Sequence, residues 1–427
     1  MSMDKLLFIS HCVPYPPDKG ERIRAFHELK ALSQHFDITL AAVDHSGSDL
    51  RENVTALREF CREVMVFPSG LARSWGRGGL ARLAGKSFSE GYFCPSNLRR
   101  AVLRETSVES PPLVVSYCSA MLPVALEARA QAHVADLVDL DSLKWASYAG
   151  KAFGLRRKWL HQEAIRVEAL ERRATRECDA VVLVSQAEAS LLNGSQAKVM
   201  AAGNGVDAEY FTPRGAEGGS PFLVFVGTMN YRPNVEAVCE FVRRVWPGLR
   251  ARLPRLSLTI VGRKPPLEVR KLQDAGGVWV TGAVKDVRPH LRRPAIAIAP
   301  LRTARGVQNK ILESMAMGLP VVASSPAMAG LDAPLRRCVQ PADSPVQWEQ
   351  AIVQLVESSA KRQALGEASR ECVLKHCRWP TQMAPLVERC LELVGRASAR
   401  QQVRDVTVPR APQPARLWDM IQERQAR

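Results

Sequence analysis

The chain has no apolar run approaching the roughly 18–20 residues that cross a bilayer, and its opening MSMDKLLFISHCVPYPPDKG has too short an apolar core for a signal peptide. A cytoplasmic protein is the expectation. It has no C-x-x-C pair and no cysteine–histidine spacing of the zinc type, so its 10 cysteines read as free, mostly buried thiols rather than a disulfide framework. Aromatics are sparse at 6%, and no short internal repeat recurs. At 427 residues, 46% hydrophobic and 24% charged, the sequence is neither a disordered polyelectrolyte nor a fibre, and its length suits two or three domains.

Charge is abundant. Lys and Arg number 59 against 43 Asp and Glu, a balance of +16, and most of the excess lies between residues 213 and 378. That half has no zinc or RNA-binding signature and no basic stripe interleaved with exposed aromatics, so nucleic acid has only the charge in its favour. A small molecule carrying a diphosphate suits the charge better.

Apolar runs alternate with helical patterns along the chain. KLLFIS (5–10) reads as a strand, CVPYPPDKGE as a loop and IRAFHELKALSQHF as a helix, followed by strand candidates DITLAAV, VMVFP, PLVVSY, ADLVDL and AVVLVS. After the Gly/Pro/Ser stretch 214–221 a second series begins with FLVFVG, LTIVG, VWVTG, AIAIAP and PVVAS. Such alternation predicts an α/β protein, two Rossmann-like domains facing a cleft, with boundaries at 1–213 and 222–378 and 214–221 as linker. A helix is expected over 381–395 after Trp379-Pro380, and 396–427 reads as a basic, poorly ordered tail.

The chemistry concentrates in PLRTARGVQNKILESMAMGLPVVAS, from Pro300 to Ser324. A strand end, a loop with Arg302, Arg305 and Gly306, and a helix from about Gln308 form an anion site, because unpaired N–H groups and the helix dipole point at the ligand. Lys310 adds a cation, and Glu313, one turn on, suits hydrogen bonds from ribose hydroxyls; an ordinary helix with Glu313 in solvent is the plainer reading. In the first domain, Lys19 and Gly20 lie in the loop PPDKGE between a strand and a helix, where Gly20 permits a tight turn or merely links the two. DLVDLDSLKW places Asp139 and Asp141 on one side of a strand near its carboxyl end, suited to receiving a proton. Two carboxylates can also hold a metal, which is the less favoured reading.

The 300–324 segment resembles the donor-site signature of the retaining, two-domain glycosyltransferases of family four, with which HFDITL, NGVDAEYFTP and GLPVVAS agree over about residues 4–394. PPDKGERIR, DLVDLDSLKW, FVGTMNYRPNVEAV and ARGVQNKILESMAMGLPVVAS together resemble, more narrowly, bacterial sugar transferases found beside exopolysaccharide and PEP-CTERM/exosortase systems. The resemblance implies a GT-B fold, with residues 379–395 crossing back to the first domain, and retaining transfer from a nucleoside diphosphate sugar to a lipid-linked or glycan acceptor. It also implies no metal or other cofactor.

Residue by residue, the resemblance implies that Gly227 and Thr228 approach the donor phosphates, with Arg232 in place of basic residues usual there, and that Val284 lies at the nucleobase. Lys310, Arg302, Gly306 and Asn309 belong to the diphosphate side, Glu313 to the ribose, and the loop with Lys19 and Gly20 lies beside donor and acceptor. Asp139 and Asp141 stand near the reacting sugar. The family usually carries two glutamates eight positions apart; the second matches Glu313, but Arg305 occupies the first. Arg305 contacts a diphosphate or an acidic sugar, or braces its loop. A non-catalytic nucleotide-sugar or glycan-binding protein of the same fold is the alternative that Arg305 keeps open.

Residues 71–104 combine Arg and Lys with Trp75, Leu80, Leu83, Phe88, Tyr92 and Phe93. This mixture suits the headgroup region of an anionic membrane and predicts a peripheral position on the inner face of the plasma membrane. The basic stretch 156–173 reads as an ordinary surface helix with i,i+4 Glu/Arg pairs.

Overall fold

The computed structural model describes residues 3–192, 198–213, 219–292, 295–304 and 306–407, with side chains through 395. Two all-parallel sheets form the framework. The first holds β1 (Asp4–Ser10), β2 (Phe36–Asp44), β3 (Glu63–Pro68), β4 (Leu113–Tyr117), β5 (Ala132–Val138), β6 (Ala180–Leu183) and β7 (Lys198–Ala201), in the order β3-β2-β1-β4-β5-β6-β7. The second holds β8 (Phe222–Val226), β9 (Leu258–Val261), β10 (Val278–Gly282), β11 (Ala295–Ala299), β12 (Val321–Ala323) and β13 (Gln340–Pro341), in the order β10-β9-β8-β11-β12-β13. β1, β4 and β11 are buried almost throughout, as continuous apolar runs must be when helices cover both faces of a parallel sheet.

Both sheets reverse their strand order beside the first strand, between β1 and β4 and between β8 and β11. Loops leaving opposite sides of such a switch point diverge and open a crevice at the carboxyl ends of the strands. The two crevices face each other: Arg263 donates to Asp18 across the gap (2.8 Å), and Asn204 Nδ2 donates to Asn309 Oδ1 (3.0 Å).

The strand candidates read from the sequence all appear. The structure adds β7 and β13, edge strands of four and two residues that are too short to show a period. The last helix runs from Trp379 to Thr407, so the stretch expected to be poorly ordered from 396 begins as helix, and residues 408–427 lie outside the described residues. Met383, Leu386, Cys390 and Leu393 of this helix join the first sheet's core beside Phe36, Leu113 and Val182. The chain thus crosses from the second sheet back to the first, pinned at the crossing by Val206 N donating to Cys377 O (2.7 Å). Residues 214–218 of the expected linker also lie outside the described residues.

Candidate active site

On the second domain the site starts where β8 ends. A Cβ on Gly262, just past β9, would overlap the Gly227 carbonyl oxygen, so the two strand ends approach more closely than side chains allow. Lys310, the second residue of the helix Asn309–Ala316, reaches over this turn. Its Nζ donates to Asn234 Oδ1 (2.6 Å) and lies 4.5 Å from the centre of the Phe225 ring. A Cβ on Gly227 would stand 3.1 Å from that ammonium. Asn234 is fixed in turn by donating from Nδ2 to the Thr228 carbonyl (3.0 Å).

Burial pushes Lys310 down to about 7, with Glu313 opposing, and pushes Glu313 up to about 7, with Lys310 opposing. Each charged form is costly here until an anion or a polyol replaces the lost water. Gly306, at φ +57°, takes the left-handed conformation that lets the loop turn into the helix.

The first domain answers from the ends of β4 and β5. The reading that places Asp139 and Asp141 on one side of a strand is corrected: β5 ends at Val138, Asp139 sits in the bend after it, and Asp141 opens the helix Asp141–Gly150. Val138 itself has φ +66° and Cys118, past the end of the neighbouring β4, has φ +82°. A β-branched residue held there stores strain of about 1–3 kcal/mol, as occurs where function dictates the backbone. Together with Lys264 (φ +56°), these are the positive-φ non-glycine residues among the described residues, and all three flank the facing crevices.

Asp139 lies against the second domain. A Cβ on Gly306 would overlap its Oδ1, an atom that is buried and has no hydrogen-bond partner. Burial first, then the neighbouring Asp141, pushes its carboxyl up to about 6. Asp141 accepts from Ser119 Oγ and Lys144 Nζ, both at 3.4 Å. Burial works against the Lys144 charge, yet Asp141, followed by Tyr148 and Tyr231, holds its pKa above the usual range. Tyr231 comes from the second domain, so the cluster closes across the cleft.

The remaining expected site residues divide. The loop with Lys19 borders the paired glycines, since its neighbour Asp18 bonds Arg263, next to Gly262. Gly20 is the first residue of an ordinary helix, Gly20–Leu32, and a Cβ there would meet nothing within 4 Å, so the expected tight turn is absent. Asn309 is spent on the contact to Asn204. Val284 packs half-buried against the second domain's core.

Arg302 and Arg232 depart from expectation. Arg302 pairs with Glu240 (2.7 Å) and Arg232 with Glu236 (2.8 Å), both guanidinium groups exposed and drawn outward by acids on the helix Arg232–Arg244. Neither joins the Lys310 cluster. Arg305 lies outside the described residues.

Sequence reasoning missed Lys144, Tyr231, Asn204 and Asn234. Lys144 stands three residues after Asp141 and Asn204 opens the NGVD stretch, so the signals were present, but the contacts that join Asn204 to Asn309 and set Tyr231 beside Lys144 form only where the two domains meet. It also missed His11 and His45, which follow β1 and β2 at the same edge and have buried ring nitrogens without partners. Both pack on Phe93, at 5.2 and 5.4 Å between ring centres.

Residues 220–358 match the family model described as glycosyl transferases group 1. The match lies within the second domain, which is similar to the group 1 glycosyl transferases. No curated protein matches the chain. Among solved structures the chain is similar to sucrose-phosphate synthase from Thermosynechococcus elongatus, at 16% identity and a TM-score of 0.67, over 92% of this chain and 100% of that one. It is also similar to HepE from Anabaena, solved in complex with UDP, at 14% identity and a TM-score of 0.60, over 90% and 98%. TarM gives 10% identity and a TM-score of 0.62, over 92% and 99%. These likenesses extend the shared GT-B architecture, two facing α/β domains, over both halves of the chain.

Proposed function

We infer that the enzyme transfers a sugar from a nucleoside diphosphate sugar, with retention, to a lipid-linked glycan acceptor in exopolysaccharide synthesis on the cytoplasmic side of a bacterial membrane. The observation that carries the donor half is the convergence of Lys310, Asn234 and the Gly227 turn, with Glu313 one turn along the same helix. In this reading the β-phosphate lies between Lys310 and the backbone of Gly227 and Thr228, Glu313 receives the ribose hydroxyls, and Val284 borders the base. HepE, a relative of the same fold, has been solved with UDP and with UDP-glucose, which makes uridine the first base to test.

Charge developing on the departing diphosphate meets Lys310 and the N–H groups that open the Asn309 helix. The acceptor hydroxyl surrenders its proton to Asp139, whose buried, unpartnered Oδ1 lies against Gly306 of the facing domain. Among the described residues no three His, Cys, Asp or Glu side chains gather as a metal site. The reading needs none, because protein groups already face the leaving phosphate.

Thermal unfolding with UDP, GDP, ADP and CMP, each with and without magnesium, tests the donor site. A nucleoside diphosphate at about 100 times its Kd is expected to stabilise the enzyme by about 2.7 kcal/mol. Glu313→Ala is expected to abolish that shift, and the absence of a shift with every nucleotide overturns the reading. The alternative, a binding protein without turnover, draws on Arg305 standing where the family has its first glutamate; it predicts the same shift and no sugar transfer from any donor.

Asp139 adds a pH signature. Its folded pKa of about 6 lies above the ordinary 3.8, so its contribution to stability is complete below about 3.8 and is lost as pH rises through about 6. Asp139→Asn is therefore expected to stabilise the enzyme at pH 8, by at most about 3 kcal/mol, while lowering kcat by about 10²–10⁴. The wild-type rate should rise through pH 6 with the carboxylate. Melting curves and rates at pH 5 and 8 check both parts, and a variant less stable than wild type at pH 8 would contradict the assignment.

A further inference from the structure

The helix Leu71–Leu83 turns its small side inward. Only Ser74 and Gly78 are buried, and a Cβ on Gly78 would overlap the Phe88 ring. Its large apolar residues face water: Leu71, Trp75, Leu80 and Leu83 are all at least 60% exposed. An isolated exposed leucine needs no explanation, but here a whole helix presents them.

A second outcrop lies at the start of the helix Gly154–Glu177, where Phe153 and Leu155 are 88% and 84% exposed. The two outcrops share one surface. The Arg82 guanidinium lies 5.0 Å over the Trp159 ring and donates to Gln162 (2.6 Å), while Arg166 donates to the carbonyls of Arg82 (3.1 Å) and Lys86 (3.0 Å). Leu83 and Phe153 thus project from neighbouring corners.

The charge around them is mostly positive, with Glu90 pairing Lys86 (3.2 Å) at the border. Neither 71–86 nor 151–161 contains an acidic residue, and Arg73, Lys86, Arg156, Arg157 and Lys158 are exposed among the apolar tips. Elsewhere on these helices Arg172 and Arg173 pair with Glu168 and Glu177, as on an ordinary surface helix. The surface helix expected over 156–173 is present, with its Glu/Arg pairs confined to the second half.

The surface is also joined to the cleft. Trp75 packs on Phe88 (5.1 Å between ring centres), Phe88 on Trp159 (5.6 Å), Trp159 on Trp145 (6.0 Å) and Trp145 on Tyr148 (6.1 Å). Tyr148 is one of the groups that hold the Lys144 charge. Among the described residues no helix is long and apolar enough to cross a membrane, so contact through this face is contact from one side.

We propose that this face docks on an anionic bilayer, with Leu80, Leu83, Phe153 and Leu155 entering the acyl boundary and the flanking Arg and Lys side chains meeting lipid phosphates. Apolar tips flanked by the exposed Arg73, Arg156, Arg157 and Lys158, with Lys86 held by Glu90 (3.2 Å) at the border, complement a negatively charged lipid surface. The proposal deepens the lipid-linked acceptor reading, because it sets the rim of the cleft against the surface where such acceptors reside.

The test is co-sedimentation of the full chain with vesicles of phosphatidylcholine alone and with 30% phosphatidylglycerol. Binding is expected to be at least ten-fold tighter to the anionic vesicles and to weaken as salt is raised. Leu83→Asp with Phe153→Asp is expected to lower it at least ten-fold, and Arg156→Glu with Arg157→Glu is expected to do the same at low salt. Both pairs should keep the wild-type melting temperature and nucleotide shift, which establishes folding. Absent binding, equal binding to both vesicles, or folded variants that bind like wild type each overturn the proposal. The nucleotide shift reports on the donor site alone, so failure of that reading and failure of this one are separable.

Discussion

Lys310→Ala is expected to lower kcat by about 10²–10³, the usual effect of removing one preorganised charge from a developing anion. The geometry makes this the largest catalytic loss outside the carboxylates. Neither Arg302 nor Arg232 shares the position, because they are committed to Glu240 and Glu236. Lys310→Arg is not expected to rescue the activity. The ammonium fits between Asn234 and the bare Gly227 turn, with 2.6 Å to the first and 3.1 Å to where a Cβ on the second would stand, and a planar guanidinium is too wide for that gap.

The same residue predicts a proton linkage. In the free enzyme burial holds Lys310 down to about 7, so near neutral pH much of its charge is absent. A bound diphosphate favours the charged form, so binding takes up a proton between about pH 7 and 9, and affinity falls as pH rises across that window. Calorimetric titration of UDP in two buffers of different ionisation enthalpy measures this uptake, and it should vanish in Lys310→Ala.

Arg24→Met is expected to cost the largest share of stability, about 3–5 kcal/mol out of a total of about 5–15. Arg24 and Asp136 are both fully buried, and the guanidinium donates twice to one carboxylate oxygen, at 2.9 and 2.7 Å. Its third arm reaches the Ala202 carbonyl (2.8 Å) and Asn204 Oδ1 (3.2 Å). Beside them lies Glu28, fully buried, neither oxygen partnered, its pKa pushed well above the carboxylate range by burial and then by Asp136.

Without Arg24, Asp136 remains in the core beside a second carboxyl, which is why truncation costs more than the pair's net worth. The double change Arg24→Met with Asp136→Leu should recover most of the loss in urea melts. It should not recover nucleotide affinity, because Asn204 loses the arm that holds it towards Asn309. Restored stability with wild-type affinity would refute the positioning role of Arg24.

Most of the architecture was legible because buried parallel strands are continuous apolar runs, and those ending at Gly or Pro mark themselves. β7 and β13 were not legible, because KVMA and QP are shorter than any hydrophobic period. At the site, the Gly227 turn, Lys310 and Glu313 fall along one local pattern of strand end, glycine and helix start, which sequence can carry. Asp139 and Asp141 were found for a mistaken reason, since the bend at Val138 replaces the expected alternation.

Arg232 shows a signal that was present and outweighed: Glu236 stands four residues on, an ordinary helix pair, but the search was for phosphate ligands. Arg302 had no such signal, because Glu240 lies 62 positions away. Tyr231 and Asn204 share that limit, for Tyr231 meets Lys144 and Asn204 meets Asn309 only across the two domains. The distribution of charge between domains was readable, whereas the pairings made by closing them were not.

The return of the last helix to the first sheet also sets an order of synthesis. The core that holds Phe36, Leu113 and Val182 is completed by Met383, Leu386, Cys390 and Leu393, which leave the ribosome only after the whole second domain. The amino-terminal domain must therefore wait, its apolar flank open to chaperones or solvent, while the later domain folds ahead of it. A fragment ending near 213 would keep that flank permanently bare, and a separately supplied peptide spanning 379–395 would be its natural complement.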